Sequence, residues 1–68
     1  MDRKAFDYYV YGAHGVLIGK YEFLFATDEE MLFQATGIYQ GVLLFKKKVK
    51  VEVFHKGELV KVIGNINN

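Results

Sequence analysis

The chain has 68 residues, 51% apolar and 16% aromatic, with a formal net charge of +1. That length allows one small domain over residues 1–68, the apolar content excludes disorder, and the near-neutral charge supplies no global field to steer a polyanion. With no cysteine and no serine, disulfides, thiolate metal sites and Ser or Cys nucleophiles are all excluded.

The start, MDRKAFDYYVYG, has no continuous apolar core of a signal peptide. No run reaches the roughly 18 apolar residues of a membrane span. The expectation is a soluble, cytoplasmic protein with no membrane partner.

Residues 5–11, AFDYYVY, are rich in strand formers and stop at Gly12. GAHG then predicts a turn, with glycine available for positive φ. VLIGKYEFLFA (16–26) predicts a long strand. In it Leu17, Tyr21, Phe23 and Phe25 share one face, while Val16, Ile18 and Leu24 share the other. Gly19 marks a bulge or bend within that strand.

ATDEEMLFQATGI predicts a short helix over 28–36. Thr27 and Glu30 have the spacing of a capping box, with Ala26 and Met31 as the staple. Asp28, Glu29 and Glu30 suit the positive end of the helix dipole. Gly37 stands where a left-handed residue closes a helix, and Ile38 could touch Phe33 across it. The rival reading takes TDEE as a turn and MLFQAT as a strand.

IYQGVLLF (38–45) predicts a central strand, apolar on both faces, with Gly41 as a second bulge. KKVKVEVFHKGELVKVIGN predicts a hairpin, with Val49, Val51 and Val53 on one face. A two- or four-residue loop sets Val53 opposite Val60, Val51 opposite Val62 and Glu52 opposite Lys61. The four-residue loop over 55–58 spares Lys56 a positive φ. Residues 65–68 are expected to fray. The order β-β-α-β-β-β predicts an α+β fold: a five-stranded antiparallel sheet, open or curled to a partial barrel, with one short helix on a face.

GVLIGKYEFLF resembles the first motif of Sm-like RNA-binding proteins in its order of glycine, strand, glycine and aromatic run, and VIGN resembles a piece of their second. The spacing differs from that family, and its short Asp-to-Asn loop is missing, so neither fold nor function is taken from the likeness.

Gly15, Gly19 and Lys20 also approach a phosphate-binding loop. The glycine spacing is one residue short, Tyr21 stands where the metal-binding hydroxyl belongs, and a strand follows instead of a helix. His14 and His55 fall in turns with no spacing that converges ligands, so no metal or cofactor is expected. The acidic triplet lacks the alternating oxygen ligands of a calcium loop. No pair of carboxylates is placed for acid–base work, and the expectation is that the protein is not an enzyme.

Binding remains. Tyr8, Tyr9 and Tyr11 suit a protein interface, because tyrosine is large, amphipathic and loses little entropy on ordering. They predict a protein-binding patch in a chain that contacts another protein and self-associates through a sheet edge or an uncovered face. The alternative is a single-stranded nucleic-acid module. In KKKVKVEV, Lys46, Lys48 and Lys50 alternate onto one strand face, which Phe54 and Lys61 extend, joining backbone-tracking charge to a stacking ring. A single arginine counts against that alternative.

Overall fold

The computed structural model describes residues 3–25 and 27–66. Four strands and one helix follow in the order β1 (Lys4–Tyr11), β2 (Leu17–Phe25), α1 (Asp28–Leu43), β3 (Lys50–His55) and β4 (Glu58–Gly64). The sheet is antiparallel and open, in the spatial order β2-β1-β3-β4. β1 lies antiparallel to both β2 and β3. Those two flanking strands are therefore parallel to each other, and α1 carries the chain across β1 between them.

Four strands replace the expected five, because residues 38–43 form the second half of α1. Met31, Ala35, Ile38, Tyr39 and Val42 recur at helical spacing, and this stripe packs on the sheet. A glycine inside a helix costs about 1 kcal/mol relative to alanine. Ile38, Tyr39 and Val42 beyond Gly37 are partly buried against the core, and each returns a share of the roughly 1.5–3 kcal/mol that full burial gives. The stripe therefore outweighs both Gly37 and Gly41. The helix ends where the Val42 carbonyl accepts from the amides of Phe45 and Lys46, each at 2.9 Å. Lysines 46–48 follow, at the negative end of the dipole.

The helix start is as predicted. Thr27 Oγ1 accepts from the Glu30 amide at 3.2 Å, and Glu30 Oε1 accepts from the Thr27 amide at 3.1 Å. Ala26 of the expected staple lies outside the described residues.

The core sits between the helix and one face of the sheet. It comprises Phe6, Tyr8 and Val10 of β1, Val49 before β3, Val51 and Val53 within it, and Met31 and Ala35 of α1. Phe23 and Phe25 extend it along β2. The Phe23 ring meets the Tyr8 ring edge-on, with centroids 5.4 Å apart.

GAHG forms a single 3-10 turn over Ala13–Gly15, with positive φ at His14 (64°) and Gly15 (73°). The register slips beside Gly19, which pairs with Val10 while Leu17 pairs with Tyr11, so Ile18 is the extra residue. A Cβ at Gly19 would lie 3.3 Å from the Tyr21 ring, so the glycine seats that ring against the backbone.

The β3–β4 turn differs from the four-residue loop. His55 pairs with Glu58, leaving Lys56 and Gly57 as a two-residue turn, both at positive φ (53° and 80°). The primed geometry matches strand twist closely enough to hold a lysine there. Val60 is then an extra residue, and from that bulge onward the register moves by one. Val51 faces Ile63 and Val53 faces Lys61, in place of Val62 and Val60. Of the expected tail, Ile66 lies beside Gly15, where an added Cβ would be 3.9 Å from Ile66 Cδ1. Asn67 and Asn68 lie outside the described residues.

Candidate functional site on the helix-free sheet face

The pleat of β1 sends Phe6, Tyr8 and Val10 beneath the helix and leaves Asp7, Tyr9 and Tyr11 on the opposite face, half-buried. β3 likewise buries Val51 and Val53 and leaves Lys50, Glu52 and Phe54 on the open side. Strand pairing joins these residues into rows. Glu22, Asp7, Phe54 and Leu59 form one row across the sheet. Lys20, Tyr9, Glu52 and Val62 form the next. Leu17, Tyr11, Lys50 and Gly64 form the third.

Aromatic rings occupy the centre of this face. The Tyr9 and Phe54 rings meet edge to face at 89°, with centroids 5.4 Å apart. Lys20 Nζ lies 5.4 Å from the Tyr9 ring centre, and Lys50 Nζ lies 5.1 Å from that of Tyr11. Lys50 also pairs with Glu52 at 3.1 Å. These contacts hold the rings in place before any partner arrives, which reduces the ordering cost of association. Leu17, Leu24, Leu59 and Val62 lie toward the two edge strands and are exposed.

Charges of both signs border the rings, Lys20 and Lys50 against Asp7, Glu22 and Glu52. Asp7 and Glu22 stand directly opposite each other. Like charges so placed destabilise a sheet.

Of the three tyrosines expected to bind protein, Tyr9 and Tyr11 lie on this face. Tyr8 does not, because its side chain is fully buried (0% exposed) and its hydroxyl donates to the Met31 carbonyl at 2.9 Å. Burial pushes its pKa up to about 12. Tyr8 is a core residue, as alternation between Tyr8 and Tyr9 requires of one of the pair.

The expected nucleic-acid set is not assembled on one face. Lys50 and Phe54 share the open face with Tyr11 and Tyr9. Lys46 and Lys48 lie in the connection between α1 and β3, outside any strand. The Val60 bulge places Lys61 opposite Val53, on the helix side of the sheet, because the register has moved by one. Lys20, Glu52, Leu59 and Val62 join the face without having been expected as binding residues. For Glu52 the signal was its alternation with Val51 and Val53 in β3; for Lys20, Leu59 and Val62 it was parity within β2 and β4, which becomes readable only once the pairing of β2 with β1 and of β4 with β3 is known.

Neither histidine is near the rings of this face. His14 is exposed in the turn after β1. His55 ends β3 and lies outside the turn, with its ring 5.2 Å from that of Phe6. Its Nδ1 lies 3.0 Å from the Ala5 carbonyl. A carbonyl only accepts, so Nδ1 carries the proton. Among the described residues, no group of three or more His, Cys, Asp or Glu side chains is placed to hold a metal ion, and no helix is long and apolar enough to cross a membrane.

Comparison with protein families, with curated proteins and with solved structures gives no match.

Proposed function

We propose that this chain is a small non-enzymatic binding protein that acts by protein–protein contact, and that it also self-associates. The partner face is the open side of the sheet, centred on Tyr9, Tyr11 and Phe54. The observation that carries this reading is the set of pre-ordered aromatic rings, one in each of three adjacent rows, bordered by charges of both signs. Aromatic centres with charged rims are the composition of protein interfaces. Three carboxylates among two lysines favour a mixed-charge protein surface over a phosphate backbone.

The single-stranded nucleic-acid alternative retains only Lys50 and Phe54 of its original set on this face, with Lys20 added. It requires affinity that falls as salt rises.

The test captures partners with the wild-type chain and with the double variant Tyr9→Ala/Phe54→Ala, after circular dichroism shows that the variant folds. The expected result is a protein retained by wild type and lost by the variant. Equal retention by both chains sinks the assignment of this face. Salt-sensitive binding of a single-stranded oligonucleotide, with no protein retained, favours the alternative.

A further inference from the structure

The helix has a second line of residues, facing away from the sheet, that carries exposed apolar side chains near both of its ends. Glu29, Phe33, Gly37, Gln40 and Leu44 recur at intervals of four, four, three and four residues, so they lie along one line of the helix and its last turn. This line is opposite the Met31–Ala35–Ile38–Val42 stripe that packs on the core. Phe33 is 83% exposed and Leu44 82%, and the neighbouring Phe45 is 85% exposed. A Cβ at Gly37 or Gly41 would meet nothing within 4 Å, so backbone is open to approach between Phe33 and Leu44. One exposed apolar residue is ordinary, but large ones near both ends of one outward helix line, with bare backbone between them, point to an interaction surface.

Charge identifies the occupant. Residues 31–45, MLFQATGIYQGVLLF, contain no charged side chain. The acidic residues Asp28, Glu29 and Glu30 precede this run, and the basic residues Lys46, Lys47 and Lys48 follow it. Such a surface is complementary to itself when reversed. We infer that the outer face of α1 is the interface of a two-fold homodimer, in which α1 of one copy packs antiparallel on α1 of the other.

In that arrangement the axis passes near residues 38 and 39. Phe33 of each copy meets the Leu44–Phe45 end of the other, and the glycine segments cross at the centre. The acidic end of each helix meets the partner's basic segment. Each contact occurs twice, as an isologous interface requires. The inference rests on the self-association part of the proposed function and names its surface. It leaves the aromatic sheet face open for a different partner.

Sedimentation velocity from low to high micromolar concentration tests this. The expected result is conversion of the 7.8 kDa chain to a species of twice that mass. Phe33→Glu and Leu44→Glu each weaken the dimer by at least about tenfold, as truncation of an interface anchor does. Both sites are exposed, so the monomer fold is retained, with circular dichroism as the check. Glu29→Lys alone and Lys47→Glu alone also weaken it, whereas the double charge swap restores the dimer. That rescue is not expected of residues with a merely local role. If one apolar variant fails to fold, the other and the charge-swap series carry the test.

A dimer indifferent to all of these substitutions, and lost instead in Tyr9→Ala/Phe54→Ala, overturns the inference while self-association stands. A monomer throughout the range overturns both, and leaves the partner-binding reading to its own test.

Discussion

The Tyr8 hydroxyl donates to the Met31 carbonyl at 2.9 Å, tying β1, one of the two central strands, to the first turn of the only α-helix among the described residues. It is a polar bond inside an otherwise apolar core, and it selects which of three nearby tyrosines is structural. Tyr8→Phe keeps the ring and removes the bond. The expected loss is about 1 kcal/mol, the net value of one hydrogen bond, read from the urea midpoint.

The same burial gives a pH dependence. The Tyr8 pKa is about 12 in the folded chain against 10.0 as its ordinary value. Because the folded pKa is raised, its contribution to stability is fully present below pH 10.0 and is lost as pH rises through about 12. Urea midpoints of the wild type should fall across that window, and those of Tyr8→Phe should fall less. Identical slopes for the two chains would contradict the assignment.

Glycines at three sites should respond differently to alanine. Gly37→Ala and Gly41→Ala each place a methyl in open space on a helix. Each is expected to stabilise the monomer by about 0.5–1 kcal/mol, measured at low protein concentration. Gly64 has φ 87°, and a Cβ there would collide with the Val49 carbonyl and the Tyr39 ring. Gly64→Ala should therefore lower the melting temperature where the other two raise it.

Lys56 holds a positive φ in the turn before β4. Lysine pays about 1–2 kcal/mol to enter the left-handed region, and asparagine enters it more readily. Lys56→Asn should raise the thermal midpoint with no change in the binding face. A decrease would show that the turn is not the primed two-residue type.

Asp7 and Glu22 oppose each other directly across β1 and β2. Glu22→Lys replaces repulsion with attraction and is expected to stabilise by a few tenths of a kcal/mol up to about 1 kcal/mol. If the open face meets its partner through these carboxylates, the same variant should bind more weakly. A chain that is more stable and binds less well separates the two effects.

Much of the framework was legible because it depends on local rules. Alternation marked Val51 and Val53 against Glu52, and the Thr27–Glu30 spacing marked the helix start. The helix end was not legible, because Gly37 followed by Ile38 has the local chemistry of a helix stop. Only packing of Ile38, Tyr39 and Val42 on the sheet carries the helix onward. The register of β4 was hidden for a related reason. The Val60 bulge has no residue signature of its own, yet it moves Lys61 to the helix side. The candidate face was half legible: Tyr9 and Tyr11 were marked by type and Glu52 by alternation, whereas Lys20 and Val62 reach it only through the registers of β2 on β1 and of β4 on β3.

The assignment of the open sheet face is tested most directly by backbone and side-chain NMR of the full chain as the captured partner is added. Shifts are predicted to concentrate at Tyr9, Tyr11, Lys50, Glu52, Phe54 and Val62, with smaller changes at Lys20 and Leu59. Shifts confined to Lys46–Lys48, or to the outer face of the helix with the Tyr9 and Phe54 signals unmoved, would contradict it.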